Sequence, residues 1–244
     1  MKQVNYAIVE NTPLTADVWR MRLAGDTSAI ARPGQFVNIR LDGLYLRRPI
    51  SVCDWDGEGL TLIYRVVGAG TAQMAAMKPG EALDCLSGLG NGYDVDACPD
   101  GAVLVGGGVG VPPLVGLAKA LVAAGKRPSA ILGFNRAEEI FCRDEFAALG
   151  VPVTLTTVDG SAGIRGFVTD AMPDGAYVCA CGPEPMLKAV HAKAGGGQFS
   201  FEARMGCGFG ACMGCTCETI AGYKLICKDG PVMRKEELIW NAQR

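Results

Sequence analysis

Four cysteines near the C-terminus have the types and spacing of metal ligands. Within "RMGCGFGACMGCTC", residues 204–217, four residues separate Cys207 from Cys212 and two separate Cys212 from Cys215. Cys227 follows after eleven more residues. This C-x4-C-x2-C…C order is the plant-type spacing of a [2Fe–2S] centre, whose irons are held by cysteine thiolates. The sequence therefore predicts an iron–sulfur site at these four positions.

Glycines around these cysteines favour the same chemistry. They lie in or beside the loop at Gly206, Gly208, Gly210 and Gly214. Glycine tolerates left-handed backbone and close approach, which lets backbone N–H groups point at sulfur atoms. A structural zinc site is the alternative, but zinc sites usually pair two C-x2-C units and this segment has one. Cys217 does not fit the spacing and is the expected non-ligand, although sequence alone leaves it open as a substitute.

A second candidate site is the glycine loop "GGGVGVPPL", which follows the apolar run "AVLV" and precedes an amphipathic pattern. It reads G-x-G-x-x-P through Gly108, Gly110 and Pro113. Backbone N–H groups at a helix start can face a pyrophosphate, and a plain strand–helix turn is the alternative. No acidic ribose ligand is evident about 20 residues further on. Asn135 and Arg136 follow the next strand, so the choice between NAD and NADP stays open.

Two arginine-containing stretches could hold another diphosphate. "RRPISV" covers residues 47–52 and "YRVVGAGT" covers residues 64–71. Together they offer cations and a Gly-x-Gly-Thr turn with backbone donors. Without that context Arg47, Arg48 and Arg65 would be ordinary surface charges.

The rest of the chain offers little acid–base chemistry. The single histidine, His191, falls in an expected helix and is predicted to be a surface residue. Five scattered cysteines are expected to be small buried hydrophobes: Cys53, Cys85, Cys98, Cys142 and Cys179. A chain with nucleotide loops, a cluster motif and few bases places its chemistry in cofactors.

Bulk properties limit the partners and the compartment. The 244 residues carry a formal net charge of −2, so no nucleic-acid footprint is expected. The N-terminus lacks the pattern of a signal peptide. The longest uncharged run, residues 101–118, is interrupted by prolines and glycines and predicts no membrane span. These features predict a cytoplasmic protein, in which clustered cysteines favour metal over disulfides.

The elements that position these residues indicate an α+β protein of three domains. Short alternating runs separated by turn residues predict an antiparallel β-barrel over residues 1–97, with one helix at "GTAQMAAMKPG". Residues 98–200 alternate strand and helix, which predicts an α/β domain with a parallel sheet. One of its helices is expected at "AEEIFCRDEFAALG". Residues 201–244 form the expected cluster domain.

These motifs, in this order, resemble the ferredoxin-reductase-type flavoproteins. The R-x-x-S motif at Arg48–Ser51, the G-x-G-x-x-P loop and the C-G-P motif beginning at Cys181 carry the resemblance. The segment "CGFGACMGCTC…CKDGPVM" is similar to a branch of that family, the electron-transfer subunits of NAD-linked dihydroorotate dehydrogenases. The resemblance implies a relay that serves pyrimidine (UMP) biosynthesis. Its implied partner is a catalytic subunit with FMN, in a heterotetramer of two of each chain, and electrons pass from FMN through [2Fe–2S] and FAD to NAD+.

The resemblance also implies roles for individual residues. The positions carried over to an FAD site are Arg48, Pro49, Ile50, Ser51, Ile63, Tyr64, Arg65, Gly70 and Thr71. Gly108 and Gly110 would admit the nicotinamide dinucleotide, and Cys181 would lie near the position of hydride transfer. The iron ligands would be Cys207, Cys212, Cys215 and Cys227. Trp240 lies beyond the cluster segment and is given no flavin role.

Two alternatives stay open at this point. An electron-entry subunit of a hydrogenase or of a ferredoxin–NADP transhydrogenase would share the barrel and the nucleotide loops. A regulatory subunit with structural zinc would bind nucleotide without flavin and would be colourless.

Overall fold

A computed structural model describes residues 1–240 of the chain. The N-terminal part is a closed antiparallel barrel in the strand order β1-β2-β5-β4-β3-β6, as predicted. Its strands are β1 Lys2–Pro13, β2 Val18–Ala24, β3 Phe36–Ile39, β4 Arg48–Trp55, β5 Gly59–Arg65 and β6 Ala82–Leu89. Helix α1, Ala69–Ala76, lies in the connection from β5 to β6.

Alternating side chains fill the barrel interior. Tyr6, Met21, Leu62 and Tyr64 are among its almost fully buried side chains. Successive residues of a strand point to opposite faces, so one face of each strand contributes to this core. The other face of β4 and β5 is left to meet the second part of the chain.

The second part is a parallel sheet with helices, which confirms the predicted α/β domain. Its parallel strands are β7 Val103–Gly107, β8 Ser129–Phe134, β9 Val153–Thr157, β10 Ile164–Arg165, β11 Tyr177–Cys181 and β12 Gly196–Ser200. Its helices are α2 Pro112–Ala123, α3 Arg143–Ala148, α4 Val168–Ala171 and α5 Glu184–Lys193. The order β10-β9-β8-β7-β11-β12 reverses direction at β7. In open α/β sheets, ligands bind beyond the carboxyl ends of the strands at such a reversal.

One element of this domain differs from the expectation. The helix expected at "AEEIFCRDEFAALG" is broken into a 3-10 turn at Ala137–Glu139 and the short α3. Ile140 is extended and Cys142 has a φ of 61°, in the left-handed region. A side chain with a Cβ rarely adopts that conformation, and an α-helix cannot continue through it.

The C-terminal segment packs on both other parts. Strands β13, Thr216–Thr219, and β14, Gly222–Leu225, form an antiparallel hairpin. Strand β15, Val232–Arg234, pairs antiparallel with β12 and so extends the sheet of the second part. Phe36 and Leu89 of the barrel join a buried apolar cluster with Cys215 and Cys227, two of the predicted iron ligands. Across residues 1–240, none of the helices is long and apolar enough to span a membrane.

Candidate functional site

The Arg48–Ser51 motif and the Gly-x-Gly-Thr turn lie together. The motif occupies the start of β4, where Ser51 is paired with Phe36 of β3. The Arg48 side chain packs over the first turn of α1, and a Cβ on Gly70 would lie 2.3 Å from Arg48 Nε. The Thr71 hydroxyl accepts a hydrogen bond of 2.9 Å from the Val67 N–H. A guanidinium thus lies beside a helix start, whose first N–H groups lack partners within the helix, and both groups favour a diphosphate.

Of the three β5 residues assigned to flavin, Tyr64 points into the barrel, whereas Ile63 and Arg65 lie on the outer face. The Tyr64 ring lies inside the barrel, and its hydroxyl donates to Asn11 Oδ1 at 3.1 Å. Burial raises the pKa of Tyr64 to about 12. Ile63 packs into the core shared with the α/β domain, and Arg65 is 3.1 Å from the carboxylate of Asp17. A flavin lying along β5 would therefore contact the backbone of Tyr64 and not its ring.

The glycine loop and the C-G-P motif form one wall of a cavity of about 430 Å³ at the carboxyl ends of the strands. Arg65, Gly108, Phe134, Pro183 and Met186 are among its lining residues. That volume is in the range of a small-molecule site, about 300–1,000 Å³. Arg65 comes from the barrel, whereas the other lining residues named here belong to the α/β domain.

Cys181 is placed at this junction as a neutral thiol. Its side chain is buried, and a Cβ on Gly110 would lie 2.3 Å from its carbonyl oxygen. Burial, together with the negative charge of Glu202, raises the pKa of Cys181 to about 12, against a lowering hydrogen bond from Ser200. The thiol is thus a polarisable neighbour and not a thiolate nucleophile at neutral pH. Burial also raises the pKa of Glu202, a residue that sequence reasoning missed.

Glu139 is a second residue that sequence reasoning missed. It lines the same cavity just beyond β8, where its carboxylate accepts a 2.9 Å hydrogen bond from Asn135 Nδ2. Arg136, the candidate for a 2′-phosphate, instead pairs with Glu138 at 3.2 Å and Glu139 at 3.5 Å. A carboxylate at this end of the second strand is the group that binds the ribose 2′-hydroxyl of NAD. Glu139 follows Gly108 by 31 residues, beyond the usual interval of about 20 residues.

The four predicted iron ligands form two neighbouring pairs. Cys207 lies beside Cys212, and Cys215 lies beside Cys227. Within residues 1–240 no three His, Cys, Asp or Glu side chains converge as ligands of one metal ion. A zinc ion needs its ligands around one point, whereas a two-iron centre takes two thiolates on each iron. The paired arrangement fits the two-iron centre.

Backbone N–H groups of the cysteine loop point at sulfur atoms, as a cluster loop requires. The N–H of Ala211 donates to Cys207 Sγ at 3.2 Å, and the N–H of Cys207 donates to Cys212 Sγ at 3.4 Å. On the other pair, the N–H of Cys227 donates to Cys215 Sγ at 3.4 Å. Burial opposes ionisation of Cys207, but the backbone donors outweigh it and lower its pKa to about 6. This sulfur is therefore prepared to bind metal as a thiolate.

The remaining candidates are structural. All five scattered cysteines are buried, as expected, but they are not isolated in space. Cys98 Sγ and Cys179 Sγ are 3.4 Å apart, and Cys53 and Cys142 lie in the same buried cluster. His191 is half-buried and not on the surface, with its ring 5.6 Å from Phe199 and 5.7 Å from Trp240.

Two family models match parts of the chain. Residues 202–239 match the iron–sulfur cluster binding domain of dihydroorotate dehydrogenase B. Residues 104–192 match the oxidoreductase NAD-binding domain. The first range holds the four paired cysteines, and the second holds the glycine loop and the C-G-P motif.

Solved structures share this fold. One, described as an NADH-dependent reduced ferredoxin-NADP oxidoreductase, is 33% identical, has a TM-score of 0.87 and covers 96% of this chain and 90% of its own. A ferredoxin NADP+ reductase from Neisseria gonorrhoeae has a TM-score of 0.67 at 16% identity, over 79% of this chain and 91% of its own, and shows the fold alone.

Curated relatives match over nearly their full lengths. The dihydroorotate dehydrogenase B (NAD(+)) electron transfer subunit of Geobacillus sp. (strain WCH70) is 41% identical, over 98% of this chain and 99% of the relative. The protein of the same name from Fusobacterium nucleatum subsp. nucleatum is 45% identical, over 95% and 96%. At these identities and coverages, the chain belongs to the family of dihydroorotate dehydrogenase B (NAD+) electron-transfer subunits.

Proposed function

We propose that this chain carries electrons from a dihydroorotate-oxidising catalytic subunit to NAD+. The observation that carries the proposal is the order of three candidate sites across the molecule. The paired cysteines pack on the outer side of the barrel at β3, and the flavin motif lies on β4. The cavity proposed for nicotinamide lies at the carboxyl ends of the α/β strands, with Arg65 of the barrel in its wall. The flavin motif therefore lies between the proposed site of single-electron transfer, at the cysteines, and the proposed site of hydride transfer, at the cavity.

The proposed sites use the chain for binding and orientation. Arg48 and the start of α1 would hold the FAD diphosphate, while Gly108 and Gly110 would admit the nicotinamide dinucleotide. The four paired cysteines would hold the [2Fe–2S] cluster. When bound, FAD exchanges hydride with nicotinamide, and the cluster exchanges single electrons. Cys181, as a neutral thiol, would border the transfer position without taking up a proton.

The proposed partner is a catalytic chain that binds FMN, and the proposed assembly contains two copies of each chain. The names of the curated relatives support such a partner. The proposed compartment is the cytoplasm, a reducing environment in which clustered thiols remain available to bind metal. The domain boundaries proposed for this relay are residues 1–97, 98–200 and 201–244.

The first experiment is an anaerobic visible spectrum of the pure chain with iron and flavin quantified. We expect flavin bands over a broad iron–sulfur background, bleached by NADH and barely by NADPH. The isolated chain should reduce artificial acceptors with NADH and should not oxidise dihydroorotate. A colourless protein with bound zinc would overturn the proposal, and dihydroorotate turnover by the single chain would overturn the assignment of that step to a partner.

A second candidate is favoured by one observation. The structural relative described as a ferredoxin-NADP oxidoreductase is 33% identical over 96% of this chain. An electron-entry subunit of that kind would share every site described above. Co-purification distinguishes the two, since only the first candidate binds a catalytic chain that reduces its FMN with dihydroorotate.

A further inference from the structure

The outer face of strand β3 lies beneath the cysteine segment. All four residues of β3 are buried. Val37 and Ile39 point into the barrel core, whereas Phe36 packs with Cys215 and Cys227 on the other side. Because strand residues alternate between faces, Asn38 shares the outer face with Phe36.

Asn38 contacts the first ligand cysteine directly. Its Nδ2 donates a hydrogen bond of 3.1 Å to the carbonyl oxygen of Cys207. The side chain is only 1% exposed. A Cβ on Gly208 would lie 2.3 Å from Asn38 Nδ2, so this contact requires glycine next to the ligand.

The buried side chain of Asn38 carries an energetic cost that a purely structural role would not require. Asn38 Oδ1 is buried and has no hydrogen-bond partner in residues 1–240. A buried polar atom without a partner destabilises the folded state. An apolar side chain would cover the same surface without this cost, so the amide has a use that depends on its N–H group.

The role of the Asn38 amide follows from the geometry of the peptide group between Cys207 and Gly208. A trans peptide is planar, so its carbonyl and its N–H point in opposite directions. Holding the Cys207 carbonyl toward Asn38 fixes the Gly208 N–H on the side away from the barrel strand. Hydrogen bonds to cluster sulfurs are among the factors that set the reduction potential of an iron–sulfur centre.

The same strand joins the cysteine loop to the flavin motif. Asn38 is paired with Pro49 of β4, and Phe36 is paired with Ser51. Neighbouring strands lie about 4.8 Å apart, so the residue that holds Cys207 lies one strand from the proposed flavin site. Arg47 fixes this part of β3 by donating to the Asn38 carbonyl at 3.3 Å and to Asp84.

We propose that Asn38 is a positioning residue that sets the reduction potential of the cluster by fixing the Cys207–Gly208 peptide. The proposal rests on the proposed function, because it requires a cluster at the paired cysteines. Loss of the Asn38 N–H donor leaves this peptide free to rotate, which loosens the loop whose Ala211 N–H donates to Cys207 Sγ and so weakens hydrogen bonding to the sulfurs. The oxidised cluster is then favoured over the reduced one.

The test compares Asn38→Ser and Asn38→Leu with Asn91→Ser in the full chain. Asn91 is a matched control, because its Nδ2 also binds the C-terminal segment, at the carbonyls of Asp229 (3.0 Å) and Val232 (2.7 Å), away from the Cys207 peptide. Iron and FAD are quantified, and the cluster is titrated with a reductant while its electron paramagnetic resonance spectrum is recorded. At the wild-type midpoint, the ratio of reduced to oxidised cluster should fall about tenfold in both Asn38 variants, as for one lost hydrogen bond to a charged group.

The outcomes separate this inference from the proposed function. Wild-type protein without iron would overturn the function. Wild-type protein with a cluster, together with Asn38 variants of unchanged midpoint and spectrum, would overturn only the role of Asn38, as would an equal shift in Asn91→Ser. Loss of iron from both Asn38 variants with FAD retained, while Asn91→Ser keeps its iron, would support the role, because the ligand would then be displaced outright.

Discussion

Gly110 of the glycine loop lies so close to the C-G-P motif that a Cβ at this position would be 2.3 Å from the carbonyl oxygen of Cys181. The same Cβ would lie 2.6 Å from the Cα of Gly182. The two nucleotide motifs, about 70 residues apart in the chain, therefore share one backbone contact. The neighbouring strands β7 and β11 pair in parallel and bring their carboxyl ends together there.

Gly110→Ala should impair hydride transfer without removing FAD. The methyl group must push the Cys181–Gly182 backbone away, and displacements of about 1 Å can cost on the order of 100-fold in rate. We expect the rate of flavin reduction by NADH, measured by stopped flow, to fall by about that factor. Gly57→Ala is the control, because a Cβ there meets nothing within 4 Å. Equal rates of flavin reduction in the two variants would show that the close contact between Gly110 and Cys181 does not affect hydride transfer.

Cys212→Ser should remove the cluster and leave FAD bound. Cys212 is paired with Cys207 in the loop, whereas the flavin motif lies on β4 of the barrel. Cys217→Ser is the matched control, since Cys217 lies outside the ligand spacing and should leave iron content unchanged. Iron and flavin analysis of both proteins checks this. Loss of FAD together with iron in Cys212→Ser would mean that the barrel and the segment fold as one unit.

Glu139→Gln should relax the preference for NADH over NADPH. The carboxylate lines the cavity beyond β8 and would repel a 2′-phosphate, while Arg136 is held by Glu138 and Glu139. We expect the ratio of kcat/KM for NADPH to that for NADH to rise about tenfold, because like charges in contact disfavour binding. Glu138→Gln, whose carboxylate is 73% exposed, is the control. An equal change in both variants would exclude a specific role for Glu139.

Protonation of His191 should make the folded protein less stable in mild acid. Burial lowers the pKa of His191 below its ordinary value of about 6.5, in spite of a hydrogen bond with the Lys235 carbonyl. The unfolded chain therefore binds this proton at higher pH than the folded chain. The contribution of neutral His191 to the free energy of unfolding is fully present above about pH 6.5 and is lost as the pH falls through the folded-state pKa. Thermal unfolding midpoints should fall more steeply between about pH 7 and pH 5 for the wild type than for His191→Gln. Parallel curves would show that His191 does not titrate in this way.

The barrel and the parallel sheet were predictable because their signals are local. Alternation with a period of two marks a half-buried strand, and an apolar strand followed by a glycine loop marks the start of a βα unit. The broken helix was not predictable, because Cys142, whose φ is 61°, packs in a core with Cys53 of the barrel, a residue distant in the chain. Strand β15 was missed for a similar reason, since a three-residue strand is specified by its partner β12.

The candidate site residues also divide into those that the sequence predicted and those that only the tertiary structure revealed. Spacing alone indicated the paired cysteines, because Cys207, Cys212 and Cys215 follow the C-x4-C-x2-C pattern of a two-iron loop and Cys227 supplies the fourth cysteine. Glu139 and Glu202 carry no local pattern. They became candidates only when the sheet brought the ends of β8 and β12 to the cavity and to Cys181.

The sequence by itself determined the kinds of chemistry this chain offers, because cysteine spacing and glycine loops are properties of short segments. Only the tertiary structure decided how these chemistries are joined. Asn38 reaches Cys207 across 169 positions of sequence, and Gly110 meets Cys181 between two strands. Such contacts depend on the register of paired strands and on close packing, which residues distant in the chain set together.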